Sequence, residues 1–141
     1  MDKILIDTDV ILDFFFDRKP FSDDAAMILS WCEMKKIQGF VTPVIISNSY
    51  YLLKKNATHA KVIEKLKKLI SIVDILLMDK EVVINALNSG FPDFEDALQN
   101  FSAIRSKKID LIITRNLKDY NKSDLVVFTP EAYLKNIIPI N

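Results

Sequence analysis

Aspartates occur at separated places in the sequence where a fold could bring them together. Asp7 and Asp9 directly follow an apolar run, Asp96 lies in a segment of helical spacing, and Asp119 comes shortly after a second apolar run. Carboxylates that meet repel, by about 3 kcal/mol per pair at ~5 Å and an effective dielectric of ~20. A divalent cation reverses that sign. Because the set contains no histidine or cysteine, it favours Mg²⁺ or Mn²⁺ over zinc, and such ions activate water and stabilise displacement at phosphorus.

Other polar residues accompany these acids. Thr114 and Asn116 follow the apolar run 111–113, and Asp93 precedes Asp96 by three residues, which places both on one helix face. Thr114 also fits a role in satisfying backbone groups at a strand end. The position of Asp93 before a helical segment is typical of a plain N-cap.

Length and composition restrict the class of protein. The chain has 141 residues and a mass of 16.2 kDa, which predicts a single domain, 1–141. Its single cysteine, Cys32, excludes an intramolecular disulfide and favours a reducing cytoplasm. We expect no signal peptide, and no uncharged apolar run approaches the ~20 residues of a membrane span. Two glycines exclude glycine-rich phosphate loops.

The elements that position the acids alternate between strands and helices. Short, continuous apolar runs predict buried strands at 3–6, 40–41, 74–78, 111–114 and 126–128. Segments of helical spacing separate them. This order predicts an α/β fold with a mostly parallel sheet of about five strands, whose sites lie at the carboxyl ends of the strands.

The helix ends follow from caps and punctuation. Asp9 is predicted to cap a helix over 10–16, and Ser22 begins a helix that Gly39 ends as a C′ residue. Asp93 is predicted to cap a helix with an apolar stripe. That stripe consists of Phe94, Ala97, Leu98, Phe101 and Ile104.

Lysines concentrate in one segment although the net charge is zero. The segment 54–68 holds six lysines and a single acid, Glu64. The lysines are Lys54, Lys55, Lys61, Lys65, Lys67 and Lys68. Together with Arg115 this clustering suits an RNA phosphate backbone. The alternative, an ordinary solvated helix face, stays open.

Three motifs in order carry a resemblance to a known family. They are Ile4-Leu5-Ile6-Asp7-Thr8-Asp9-Val10-Ile11-Leu12-Asp13, Asp93-Phe94-Glu95-Asp96-Ala97-Leu98 and Ile113-Thr114-Arg115-Asn116-Leu117-Lys118-Asp119-Tyr120. Together they resemble the PIN domain, a nuclease family that includes VapC-type toxins, and a bacterial subgroup with these forms is similar. The resemblance implies a three-layer α/β/α domain that cleaves single-stranded RNA with Mg²⁺ or Mn²⁺. It also makes an antitoxin protein and a second copy of the chain candidate partners.

The resemblance assigns roles to individual residues. It implies metal binding by Asp7, Asp96 and Asp119, and catalytic roles for these three together with Thr114 and Asn116.

The chain departs from the family pattern at three positions. Asn48 stands where a glutamate is common, Asn116 where an aspartate is common, and Asp9 where Asn or Ser is usual. Asp9, Asn48, Asp93 and Glu95 are the predicted helpers of the site.

Other protein classes share parts of this residue pattern. Asp7-Thr8-Asp9 is also similar to the first motif of haloacid-dehalogenase-type phosphatases, but only 27 residues follow Thr114, too few for their remaining motifs. A response-regulator receiver is excluded because this chain has no lysine near 126–129, where a receiver carries one at the end of its last strand. A catalytically weak or inactive PIN-like module that binds RNA or protein is the remaining alternative, and Asn48 and Asn116 favour it.

Overall fold

Short strands alternate with helices in the computed structural model, which describes residues 1–137. The strands are β1 (Lys3–Ile6), β2 (Gln38–Val41), β3 (Val73–Ile75), β4 (Leu111–Ile113) and β5 (Val126–Phe128). The α-helices are α1 (Thr8–Phe15), α2 (Ser22–Glu33), α3 (Pro43–Lys54), α4 (His59–Ile72), α5 (Lys80–Leu87), α6 (Phe94–Ser106) and α7 (Pro130–Ile137). A 3₁₀ helix covers Leu117–Tyr120.

The five described strands form one parallel sheet in the order β3-β2-β1-β4-β5. In register, Leu5 of β1 pairs with Phe40 of β2 and with Ile112 of β4. The connections run to one side from β1 to β3 and to the other side through β4 and β5. The strand order therefore switches between β1 and β4, and a crevice opens at their carboxyl ends.

Helices cover the sheet and bury its central strands. Helix α2 contacts α1, α4 and α7, and α3 contacts α1 and α4. Helix α5 packs on α6. Ile4, Leu5 and Ile6 of β1 and Ile112 and Ile113 of β4 are fully buried. This confirms the predicted α/β fold class with its layered helices and parallel sheet. Within the described residues, no helix has the length and apolar character needed to cross a membrane.

Two predicted helix boundaries are wrong. Asp7, not Asp9, is the N-cap of α1, because the Asp7 side chain accepts from the Thr8 N–H while Asp9 lies inside the first turn. Helix α2 ends at Glu33 instead of reaching Gly39, and Lys35 has a positive φ of 60°.

The glycine that misled this prediction lies in a strand. Gly39 belongs to β2, and a Cβ there would lie 2.6 Å from Cys32 Sγ and 3.0 Å from Val73 Cγ1. Glycine is therefore required by the close approach of α2 and β3 to β2, and not by a helix end.

Two further predictions need correction. Strand β3 covers 73–75 and not 74–78, because after the Leu76 N–H donates to Val41 the chain leaves the sheet. The stripe predicted on α6 is only partly buried, since Phe94 and Ile104 are exposed. Instead α6 buries polar groups, among them Asp96, which periodicity of apolar residues does not detect.

Candidate active site

The acids nearest the sheet lie at the switch in strand order. Asp7 directly follows β1, and Thr114 directly follows the neighbouring strand β4. The Thr114 hydroxyl donates to Asp7 Oδ2 at 2.9 Å, and Asp9 Oδ2 lies 3.4 Å from the same hydroxyl. Thr114 is fully buried and Asp7 is 4% exposed. The pairing of β1 with β4 thus fixes both residues in the crevice.

Asp7 carries its carboxyl group into the interior. Burial is the largest cause that raises the pKa of Asp7 from 3.8 to about 7, and the charge of Asp9 raises it further. Hydrogen bonds from Thr8, Thr114 and Tyr120 lower it in part. The raised pKa favours the neutral carboxyl of Asp7, and a nearby positive charge would shift the group back towards the carboxylate.

Asp96 comes to the same place from the first turn of α6. Asp93 caps this helix, as predicted, because its Oδ1 accepts from the Asp96 N–H at 3.0 Å. Burial first, then the charges of Asp7 and Asp93, raise the pKa of Asp96 to about 8, and a hydrogen bond and the charge of Asp119 add to this. The structure therefore brings Asp7, Asp96 and Asp119 together from three separate segments.

Tyr120 is a member of this cluster that the sequence did not single out. It is 2% exposed, and its hydroxyl donates to Asp96 Oδ1 at 3.2 Å. Burial and the neighbouring carboxylates of Asp7 and Asp96 raise the tyrosine pKa far above its usual value. The hydroxyl is therefore a permanent donor between two acids. Its place directly after Asp119 is the signal that could have identified it.

Asp9 lies at the inner edge of the cluster. Its Oδ2 accepts from the backbone N–H of Arg115 at 3.0 Å. Its Oδ1 is buried and has no hydrogen-bond partner among the described residues. Burial raises the Asp9 pKa, with Arg115 opposing. One carboxylate oxygen beside Asp7 thus remains available.

Asp13 is a second residue that the sequence did not single out. Its side chain is 1% exposed and is held by Arg115 through Nε and a terminal nitrogen, the latter at 3.0 Å, and by Arg18 at 3.4 Å. The guanidinium carbon of Arg115 also lies 4.0 Å from the centre of the Phe21 ring. The sequence predicts that Arg115 contacts RNA. In the structure, the hydrogen-bonding edge of its guanidinium is directed to Asp13.

Two asparagines mark the rim. Asn48 of α3 donates its side-chain amide to Glu95 Oε2 at 2.7 Å, which links α3 to the start of α6 beside Asp96. Asn116 is exposed, and its backbone N–H, not its side chain, donates to the Thr114 hydroxyl at 3.1 Å. The structure therefore places Asn48 and Glu95 together and Asn116 on the other side of Thr114.

The predicted RNA-binding lysines lie on the outer surface. Lys54, Lys55, Lys61, Lys65 and Lys68 are all exposed at the end of α3 and along α4. Lys68 pairs with Glu64 at 3.6 Å, and Lys65 Nζ lies 5.7 Å from the Phe15 ring centre.

The donor set was tested for a metal ion. Among residues 1–137, no three carboxyl, imidazole or thiol groups are placed so that they hold a metal as they stand. The chemistry nevertheless fits a hard cation, since the groups are oxygen ligands only and Asp7 raises the pKa of Asp96. The unpartnered Asp9 Oδ1 adds a further oxygen.

Known proteins are similar to the chain in sequence pattern and in fold. The family model described as PIN domain matches residues 3–118. No curated protein sequence matches significantly.

Solved structures share the fold. A toxin-antitoxin complex from Klebsiella pneumoniae has a TM-score of 0.68 and 21% identity, over 90% of this chain and 97% of that one. VapBC2 from Rickettsia felis, bound to a DNA fragment from its promoter, has 0.65 and 12%, over 90% and 98%. Mycobacterium tuberculosis VapC20, described as a sarcin-ricin loop cleaving toxin, has 0.59 and 16%, over 77% and 86%. Because the family model matches well over half of the sequence, the chain belongs to the PIN domain family.

Proposed function

We propose that this protein is an endoribonuclease that cleaves single-stranded RNA with Mg²⁺ or Mn²⁺. The observation that carries the proposal is the convergence of Asp7 and Asp96, which β1 and α6 hold in a buried crevice although the charge of Asp7 raises the pKa of Asp96. A fold that keeps like charges together at a cost in stability has a use for the charge. Family membership supplies the reaction class as an analogy.

The residues of the crevice have distinct tasks in this proposal. Asp7, Asp96 and Asp119 hold the cation, and Asp9 offers its unpartnered oxygen. When bound, the cation lowers the pKa of water and stabilises charge that develops at phosphorus. Thr114 orients Asp7 through its 2.9 Å hydrogen bond. Tyr120 keeps the Asp96 carboxyl in place.

Two observations support RNA as the substrate class. The VapC20 structure is described as that of a toxin that cleaves the sarcin-ricin loop. On this chain, exposed lysines on α3 and α4 offer positive charge to a phosphate backbone. We assign binding of the RNA backbone to Lys54, Lys55, Lys61, Lys65 and Lys68.

The partner that we propose is an antitoxin protein, which makes this chain the toxin of a pair. Similar folds occur in toxin-antitoxin complexes. An open groove of about 690 Å³ between α1, α2 and α4 offers apolar surface for such a partner, with Phe14, Leu29 and Leu69 in its wall. Phe14 is 40% exposed, since three consecutive residues of one helix cannot all face the core. The reducing cytoplasm remains the expected location of the pair.

A cleavage assay tests the enzymatic proposal. The protein is incubated with labelled single-stranded RNA in Mn²⁺, in Mg²⁺ and in EDTA. Asp96→Asn removes one metal ligand at nearly constant volume and should lower the rate at least ~100-fold, since a ligand and its charge are lost together. Asp124→Asn, an exposed aspartate on the loop before β5, serves as the matched control and should retain the rate. Cleavage that survives EDTA, or an unchanged rate for Asp96→Asn, would contradict the proposal.

The second candidate is a PIN-like module that binds without cutting. Asn48 favours it, because its amide is committed to Glu95 and brings no charge to the cation. Thermal unfolding with Mn²⁺ separates the two. A catalytic site should show a raised melting temperature that Asp7→Ala abolishes, whereas a binding module should show no shift with millimolar Mn²⁺.

A further inference from the structure

An open cavity of about 330 Å³ lies beside the acidic crevice, near the lower size limit of a small-ligand site. The turn between α1 and α2, the first turn of α2, the second residue after β4 and the start of α7 form it. Its wall includes Phe21, Asp24, Arg115, Thr129, Pro130 and Glu131. None of these residues has a role in the site described above except Arg115.

The cavity and the acidic crevice share one stretch of backbone. The Arg115 N–H donates to Asp9 Oδ2 at 3.0 Å, and the preceding Thr114 donates to Asp7. A ligand in the cavity therefore lies against Arg115, one residue along the backbone from the contact between Thr114 and Asp7. For a polymer in the crevice, the cavity is the place for a neighbouring unit.

Arg115 presents a flat surface to this cavity more than a charge. Its guanidinium is paired with the buried Asp13, which Arg18 also contacts, and the guanidinium carbon lies 4.0 Å from the centre of the Phe21 ring. Its side chain is 27% exposed. With Phe21 and Pro130 it makes a wall suited to a planar aromatic group.

The polar atoms at the edge of the cavity are mainly acceptors. Asp24 and Glu131 contribute carboxylates, and Glu131 forms an ion pair with Lys135 at 2.7 Å, with both side chains well exposed. Two carboxylates repel a phosphate. They attract a group that offers N–H donors.

Among the parts of single-stranded RNA, only a base is planar and carries such donors. Proteins read unpaired bases by stacking them on aromatic or guanidinium planes and by hydrogen bonds to their Watson–Crick edges. Guanine presents two adjacent donors there, N1–H and the 2-amino group, which match the two oxygens of one carboxylate. Adenine, cytosine and uracil each present a single donor position beside acceptors, which a carboxylate repels.

We infer that the cavity binds a guanine base next to the scissile phosphate, with Phe21 and Arg115 as the stacking wall and Asp24 or Glu131 as acceptor. This inference rests on the proposed function for its RNA substrate. It deepens that function by assigning a base preference to residues outside the acidic cluster.

Binding without cleavage tests the cavity directly. The full chain in EDTA is titrated against a labelled uridine octamer with one central guanosine, and against the same octamer with inosine, which lacks the 2-amino group. The wild type should bind the guanosine octamer about 10-fold more tightly, which corresponds to one charge-assisted hydrogen bond. The double variant Asp24→Asn/Glu131→Gln should bind both octamers equally. Asp23→Asn, one position from Asp24 and outside the cavity wall, should keep the preference.

The outcomes separate this inference from the proposed function. Equal affinity of the wild type for the two octamers would overturn the guanine site, as would a preference that persists in the double variant. Guanosine-dependent binding without any cleavage in Mn²⁺ would overturn the nuclease and leave the cavity. Cleavage in Mn²⁺ with equal binding of the octamers would do the reverse.

Discussion

At the scale of single residues, the buried carboxyl groups of Asp7 and Asp96 lower the stability of the metal-free protein. Both are buried, both have raised pKa values, and the charge of Asp7 contributes to the raised pKa of Asp96. Tyr120 and Thr114 offset part of that cost with hydroxyl donors. Such groups weaken the metal-free protein near neutral pH because ionising them in place is unfavourable.

Asp96→Asn should therefore stabilise the metal-free protein while it removes activity. The asparagine Oδ1 can still accept from Tyr120, and the charge is gone. We expect the free energy of unfolding at about pH 8 to rise by about 1–2 kcal/mol, a figure discounted for solvent screening of a partly accessible group. Urea denaturation in EDTA measures it. A variant less stable than the wild type would show that Asp96 forms interactions which outweigh its repulsion.

Sequence reasoning identified some of these residues and missed others for a physical reason. Asp7 and Thr114 follow apolar strands, and parallel strands bring their carboxyl ends together, so their proximity follows from the pattern alone. Tyr120 and Asp13 have ordinary positions in the sequence. Their burial results from how the 3₁₀ helix and α1 pack on distant elements, which no local pattern encodes.

At the scale of elements, α1 and the segment after β4 are joined by an ion pair in the interior. Asp13 is one helical turn beyond Asp9, and Arg115 binds Asp13 through its side chain and Asp9 through its backbone. The two segments that carry Asp7 and Thr114 are thus fastened twice. Removing one partner of a buried pair leaves a charge without compensation.

Asp13→Asn should lower the free energy of unfolding by about 3 kcal/mol, because Arg115 and Arg18 lose their shared carboxylate. Asp17→Asn, an exposed aspartate in the turn after α1, should change it by less than about 0.5 kcal/mol. Chemical denaturation measures both. Similar losses for the two variants would show that the ion pair does not hold these elements together.

The helices also show where local patterns are insufficient. The cap of α6 by Asp93 was predicted and is observed, and Thr42 before α3 and Asp79 before α5 likewise accept backbone hydrogen bonds as capping requires. The end of α2 was misread because Gly39 resembles a helix stop. Glycine is needed at this position because the neighbouring side chains of Cys32 and Val73 leave no room for a Cβ atom.

At the scale of the whole molecule, the sheet order creates the crevice. The alternation of strands and helices in the sequence predicted a parallel sheet. The observed order of the strands places β1 beside β4. A second copy of the chain as partner stays a prediction. Exposed apolar side chains on α3 and α5, among them Tyr51, Ile84 and Leu87, offer surface for it.

The acidic crevice also makes the stability of the whole protein depend on pH. Asp7 and Asp96 have folded pKa values of about 7 and about 8, against 3.8 for the free side chain. Between about pH 4 and pH 8 the folded state therefore binds more protons than the unfolded state. Since the stability slope follows the protons bound by the unfolded state minus those bound by the folded state, it is negative, and stability falls as pH rises.

Mn²⁺ should reverse this loss, because it binds the deprotonated carboxylates and competes with protons for them. In EDTA, the melting temperature should be lower at about pH 8 than at about pH 5.5. The increase in melting temperature produced by millimolar Mn²⁺ should be larger at about pH 8, where the free energy of unfolding should rise by about 2.7 kcal/mol at a hundredfold excess of Mn²⁺ over the dissociation constant. Asp96→Asn is the control, and it should weaken the dependence on pH of both the melting temperature in EDTA and its increase with Mn²⁺. If Mn²⁺ raised the melting temperature equally at the two pH values, the cation would be bound away from Asp7 and Asp96, and the buried carboxyls would need another partner.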